Sequence, residues 1–254
     1  MHILLTNDDG YESPGFAALC GAMRGLGALS LAAPDGQRST CGHSATLSGQ
    51  MAVREVDDPR LGRVYAVDGT PVDCVRLAFC ELLDNRPDVV ISGINVGANV
   101  SAVDVYSSGT VAAAREGAFC GAVGIALSQL FKKDRPIDWE TSTRVVRSLV
   151  PQLLECGAVV RLWNVNLPAV GWGEYPVDVR VVPLSPDHIP LKFKGVTDSV
   201  TGRRRYEYAG FYEKRQVTAG TDVAAVFENA VSVTPLAIDA TDGRAETLGR
   251  RFHI

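Results

Sequence analysis

Four polar clusters carry the residues best suited to chemistry: Asn7-Asp8-Asp9-Gly10, Asp35–Thr40, Ser92–Asn99 and Ser107–Thr110. The first puts two carboxylates side by side at the close of a short apolar run. Like charges that close repel, and partial desolvation raises the cost. A divalent cation removes the conflict, and hard oxygen donors favour Mg²⁺, Mn²⁺ or Ca²⁺ over zinc. The same residues also read as a plain turn, since Asp-Gly is common turn chemistry. In the second cluster Ser39 reads as a metal or phosphate ligand. No GxSxG elbow surrounds it, as a serine nucleophile of that type needs. In the third, Gly93 and Gly97 let backbone approach a ligand, and Asn95 offers a neutral oxygen. The dinucleotide pattern GxGxxG and the P-loop pattern GxxxxGK[ST] are both absent. In the fourth, free amides at a helix start suit a phosphate, and Ser108 suits a simple N-cap; both readings hold together.

These clusters fall where strands are expected to end. His2–Asn7, Leu29–Ala33, Val64–Val67, Val89–Ser92, Ile125–Ser128 and Val160–Val165 read as strands. Between them come helices. Ser13 caps one that opens on Pro14, with Phe16, Leu19, Cys20, Met23 and Leu26 at helical spacing. Thr70 and Pro71 open a second through Leu83, Ser108-Gly109-Thr110 a third through Ala118, and Trp139–Leu154 is a fourth. Alternating strands and helices imply crossovers and a sheet covered on both faces. The expected fold is a three-layer, Rossmann-like, doubly wound and mostly parallel sheet. Ligands bind such sheets beyond the carboxyl ends of the strands, and this brings the four clusters to one edge. After about residue 182 the pattern changes. Pro183, Pro186 and Pro190 interrupt the chain, and Lys192–Gln216 reads as a long polar hairpin with Gly202 near its tip. Val223–Val226 and Ala230–Pro235 are further strand candidates. Residues 1–182 are thus read as the catalytic region and 183–254 as a hairpin and oligomerisation segment, within one structural domain.

Composition narrows the class. The chain has 254 residues, 46% of them hydrophobic, and a formal charge of −4. That suits a globular protein with a substantial core. Nucleic-acid binding needs a basic face, which a mildly acidic chain does not suggest. No apolar stretch reaches the length of a membrane span, and the N-terminus lacks the basic start of a signal peptide, so a cytoplasmic location is expected. The six cysteines form no CxxC pair and the four histidines no HExxH, which leaves zinc and disulfide readings without support. His43 reads as a structural histidine.

Taken together, the clusters resemble one family. Asn7-Asp8-Asp9-Gly10-Tyr11 with Ser13-Pro14-Gly15, Ala33-Pro34-Asp35 with Arg38-Ser39, Gly42-His43-Ser44 and Val67-Asp68-Gly69-Thr70-Pro71 are similar to the survival protein E (SurE) nucleotidases. So are Ser92-Gly93-Ile94-Asn95 with Gly97 and Asn99, Ser108-Gly109-Thr110-Val111, Asn164-Val165-Asn166-Leu167-Pro168, Gly220-Thr221-Asp222 and Val231–Leu236. The match spans nearly the whole chain. Two places depart from the pattern: Ser107 stands where members often have Tyr, and Arg203–Gly210 lacks a Trp-containing run.

The resemblance implies one divalent metal per subunit, Mg²⁺ or Mn²⁺, held by Asp8, Asp9, Ser39 and Asn95. It implies hydrolysis of nucleoside 5′- and 3′-monophosphates, sometimes of short polyphosphate, in a homodimer or homotetramer. The expected mechanism is attack by metal-activated water, with Asp8, Asp9 and Asn95 catalytic. Asn7, Asn99, Ser108, Gly109 and Thr110 are assigned to holding the phosphate. Two other readings stand beside it: an aspartyl-phosphate phosphatase or phosphotransferase, and a non-catalytic nucleotide-binding module.

Overall fold

Residues 1–174, 178–210 and 212–241 are described by the structure, a computed structural model. The last part of the proposed 183–254 segment, residues 242–254, lies outside them.

The core follows from side-chain alternation along short apolar strands. In β1 (His2–Thr6), Ile3 and Leu5 point to one face of the sheet and Leu4 to the other. The first face is covered by α1 (Pro14–Met23) and α5 (Trp139–Glu155), through Phe16, Leu19, Met23, Val146, Leu149 and Val150. The second is covered by α2 (Pro71–Leu77) and α4 (Gly109–Phe119), through Cys74, Val75 and Ala113. Phe16 is fully buried, and burying such a side chain stabilises the fold by roughly 1.5–3 kcal/mol.

Helix starts are fixed by local chemistry. Ser13 accepts a hydrogen bond from the Phe16 amide, and Pro14 occupies the first turn. Thr70 and Asp73 close a reciprocal capping box ahead of Pro71. Asp138 caps α5 by accepting from the Thr141 amide.

The remaining strands are β2 (Ala28–Pro34), β3 (Val53–Asp58), β4 (Gly62–Val67), β5 (Val89–Val96), β6 (Val123–Gln129), β7 (Leu162–Leu167), β8 (Val179–Val181), β9 (Phe193–Thr197), β10 (Arg204–Tyr208) and β11 (Val231–Pro235). Among the described residues, nine form one sheet in the order β3-β4-β2-β1-β5-β6-β7-β11-β8. From β4 to β7 neighbouring strands run parallel, while β3 and β11 are antiparallel to β4 and β7. The order reverses between β1 and β5, so a crevice opens there beyond the strand ends. The expected doubly wound, mostly parallel architecture is therefore present. β9 and β10 pair only with each other and stand exposed along their length. Gly202 takes a left-handed conformation in the turn between them, which glycine does without strain.

Besides β3 and β8, which the sequence reading did not include, two further features differ from it. Residues 223–226 are not a strand; they lie in α6 (Asp222–Phe227). A four-residue apolar run fits either state by periodicity. What decides is Asp222, whose buried carboxylate accepts from the Val223 amide at the helix start and from the Ser101 and Ser185 amides. Val223 and Val226 then pack on Ala98, Val100 and Leu130. A further helix, α3 (Ser101–Ser107), fills the loop between β5 and α4 without a side-chain cap. No helix among the described residues is long and apolar enough to cross a membrane.

The crevice depends on close backbone packing. A Cβ added at Gly15, in the first turn of α1, would lie 2.0 Å from the Ile94 carbonyl oxygen in β5. Gly15→Ala is therefore expected to lower stability by about 1–3 kcal/mol, through forced separation of α1 from β5. A urea titration measures this as a lower midpoint; an unchanged midpoint would refute so tight a contact.

Candidate active site

Three strand ends and one helix start build the site. β1 delivers Asp8 and Asp9. The turn after β2 delivers Ser39, its approach fixed by the Arg38 amide donating to the Asp8 carbonyl at 2.7 Å. The end of β5 delivers Asn95, just past a register shift between Ser92 and Asn95. α4 points its N-terminus at Asp8. A Cβ on Gly109 would sit 3.2 Å from Asp8 Oδ2 and 2.9 Å from Cys41 Sγ, so a larger residue would make one of these side chains shift.

Asp8 is 5% exposed. Burial pushes its carboxyl up to about 6, and the charge of Asp9 pushes the same way. The Thr110 hydroxyl, donating to Asp8 Oδ1 at 2.6 Å, opposes the shift, as does the Thr110 amide. Asp9 is also raised by burial, against a hydrogen bond from the Val96 amide at 3.1 Å. The Asn95 side-chain NH₂ donates to the Gly97 carbonyl at 2.6 Å, leaving its oxygen as the free ligand atom. Ser39 is exposed and accepts from the Gln37 amide group.

A cavity of about 250 Å³ opens here, lined by Asp8, Ser39, Thr40, Asn95, Asn99, Asp104, Ser107, Ser108, the Val96–Ala98 segment, Ile189 and Tyr212. Thus Asp8, Ser39, Asn95, Asn99 and Ser108 meet in one space. Asp9 lies against Val96 at its edge. Ser108 also caps α4, accepting from the Val111 amide. Thr110 is fully buried behind Asp8, and its hydroxyl is committed to that carboxylate. Asn7 is turned away: its NH₂ donates to the Gly10 carbonyl and the Ser13 hydroxyl and so holds the turn between β1 and α1. His43 also faces elsewhere, 2.8 Å from Glu116, which Arg76 contacts on its other oxygen.

Three lining residues lie outside the sequence reading: Asp104, Ile189 and Tyr212. Asp104 belongs to uncapped α3, and its partner Arg215 is far away in sequence. Their ion pair, 2.9 Å long, is almost wholly buried. Burial raises Asp104, and Arg215 opposes that. Arg215 stacks on the Tyr212 ring at 4.0 Å, and the Tyr212 hydroxyl donates to the Ala98 carbonyl. The segment after β8 therefore supplies one wall of the cavity.

Among the described residues, no group of three or more His, Cys, Asp and Glu gathers as a metal centre. The oxygen set here is instead two carboxylates with a neutral amide and a hydroxyl.

Comparison with known proteins agrees with the geometry. Residues 3–188 match the sequence profile of the family described as Survival protein SurE. The "5'-nucleotidase SurE" of Chloroflexus aggregans is 38% identical over 252 residues, covering 96% of each chain. That of Desulforudis audaxviator is 40% identical over 256 residues, covering 96% of this chain and 95% of its own. The crystal structure of the SurE protein from Aquifex aeolicus superposes with a TM-score of 0.83 at 34% identity, covering 98% of both chains. A profile match over most of the chain, near-complete relatives at this identity and a shared fold lead to one conclusion: this chain belongs to the SurE family.

Proposed function

We propose that this chain is a divalent-metal-dependent phosphomonoesterase acting on nucleoside 5′-monophosphates, with 3′-monophosphates and short polyphosphate as further substrates of the same site. Membership of a family of 5′-nucleotidases supports hydrolase activity. The observation that carries the finer reading is the pairing of Asp8 and Asp9 at the crevice, both raised by burial, against the N-terminus of α4. Two partly desolvated carboxylates need a cation to ionise together. The two carboxylates, Ser39 and Asn95 offer hard oxygens, which suits Mg²⁺ or Mn²⁺.

Asp8, Asp9, Ser39 and Asn95 would hold the metal. When bound, it would supply Lewis-acid polarisation of the phosphoryl group and an acidified water at neutral pH. The chain does the rest. Thr110 and the Val96 amide fix the two carboxylates, so their orientation is set before substrate arrives. Amides at the start of α4, with Ser108 and Asn99, face the phosphoryl oxygens and stabilise the charge that develops on them. Tyr212 and Ile189 line the outer wall. Stripping metal with EDTA should abolish phosphate release from AMP, and Mn²⁺ or Mg²⁺ should restore it. Asp9→Asn should lower kcat/KM by roughly a hundredfold or more at ordinary metal concentrations. Full activity in chelated protein, or an unimpaired Asp9→Asn, would sink the assignment.

Asp8 gives a pH signature. Its folded pKa lies above its unfolded value, so without metal its contribution to stability is complete below about pH 4 and is lost as pH rises through about 6. Metal-free wild type should therefore lose stability relative to Asp8→Asn over that window, by roughly 3 kcal/mol at most. Saturating Mn²⁺ should remove the loss. Denaturant titrations of both proteins at pH 4 and pH 7 measure it; parallel pH profiles would show that Asp8 is not raised.

The exposed hairpin supports a homodimer or homotetramer. Phe193, Val196, Tyr206 and Tyr208 leave large apolar surface on an unpaired two-stranded ribbon. Light scattering at micromolar concentration should give at least twice the chain mass. A fully active monomer would refute this part of the proposal.

A further inference from the structure

Two asparagines in the core are not accounted for by the chemistry above. Asn164 and Asn166 lie on one face of β7 and are both fully buried. Interior strands of a covered parallel sheet favour apolar side chains. A buried amide lowers stability unless its hydrogen bonds are made. Here one is not made: Asn164 Oδ1 has no partner. A role in packing alone does not explain that cost.

Their partner is a single residue, Asn99. Asn166 Oδ1 accepts from the Asn99 backbone amide at 2.7 Å. The Asn164 NH₂ donates to the Asn99 carbonyl at 2.8 Å, and the Asn166 NH₂ to the same oxygen at 3.3 Å. On the neighbouring strand, the Ser128 hydroxyl accepts from the Asn99 side-chain NH₂ at 2.8 Å. Ser128 and Asn166 are register partners, so β6 and β7 present these groups as one rigid row. Both main-chain polar atoms of Asn99 and one of its side-chain N–H bonds are thus committed to the sheet. Its second side-chain N–H remains for a ligand, and Asn99 lines the cavity.

We infer that Asn164, Asn166 and Ser128 are positioning residues: they set where Asn99 stands, and through it the side of the cavity that receives an anionic phosphoryl group. The inference rests on the phosphomonoesterase reading. A loop residue would otherwise be ordered at the expense of binding energy. Anchoring it on two interior strands removes that cost and keeps the donor within hydrogen-bond reach of the phosphoryl oxygens. The clamp's side-chain hydrogen bonds all go to Asn99 and to none of the proposed metal ligands, so Mn²⁺ affinity is expected to stay near wild type, although Ser128 is the register partner of Asn95 on β5.

A double-mutant cycle tests this with full-length, Mn²⁺-loaded protein. Asn99→Ala, Asn166→Ala and the double variant are compared by AMP kinetics and by calorimetric binding of inorganic phosphate. Each single variant should weaken phosphate binding and raise KM about tenfold, with Mn²⁺ affinity within about twofold of wild type. In the Asn99→Ala background, Asn166→Ala should cost less than about twofold more, because its effect passes through the side chain already removed. A merely structural role would cost the same in both backgrounds, and that result overturns the inference. So does a folded Asn166→Ala with wild-type phosphate affinity, or a wild type that binds no phosphate. Ser128→Ala removes only a hydroxyl and serves if Asn166→Ala does not fold; unchanged phosphate affinity in that variant overturns the inference equally. Wild type that binds phosphate but hydrolyses no nucleotide would defeat the functional reading and leave the clamp to be judged by binding alone.

Discussion

A carboxylate held almost out of water is the constraint on which the rest of the site turns. Asp8 stands at the end of β1, shielded by β5 on one side and α4 on the other. Its ionised form is costly there, and Asp9 beside it adds repulsion. The fold offsets part of that cost with local dipoles. α4 starts at Asp8 with glycine, so its positive end reaches the carboxylate, and Thr110 adds a short hydrogen bond. In the proposed function, that residual cost is what a bound cation would relieve. The same helix start that steadies Asp8 is the element proposed to receive the anion of a substrate.

The second dependence runs from the site to the C-terminal part of the chain. The loop after β5 must bend across the crevice and carry Asn95, Asn99 and Asp104 into it. It is held from below by the sheet, through Ser128, Asn164 and Asn166. From above it is held by Arg215, Tyr212 and Asp222. Removing one partner of a buried ion pair such as Asp104–Arg215 costs about 3–5 kcal/mol, because the other charge is left buried and uncompensated. The segment after β8 is thereby tied to the catalytic layer: β11 sits in the main sheet between β7 and β8, and Tyr212 lines the cavity. Among the described residues, the β9–β10 ribbon stands apart from the main sheet.

Much of this was legible in the sequence, for local reasons. Ser13-Pro14 and Thr70-Pro71 mark helix starts through chemistry confined to a few residues. Short apolar runs bounded by turn residues mark the strands of a covered sheet, and strand–helix alternation leaves little choice of architecture. Once the sheet is doubly wound, its polar clusters must gather at one edge. The likeness of Asn7–Tyr11, Ser92–Asn99 and Ser108–Val111 to SurE proteins follows from the same residues.

What the tertiary structure alone decided concerns pairings between distant residues. Val223–Val226 is an apolar run that suits strand or helix, and Asp222, bonded to amides of Ser101 and Ser185, selects the helix. Asp104 has no local signal, since its partner lies 111 residues away. Asn7 and Asp8 are neighbours of similar polarity, yet one braces a turn and the other faces the cavity. The partners each finds, Gly10 and Ser13 for Asn7 and Thr110 of α4 for Asp8, mark that difference. Sequence patterns report the short-range preferences of the backbone. Which polar group loses its water, and which partner compensates it, is settled only when the layers close on one another.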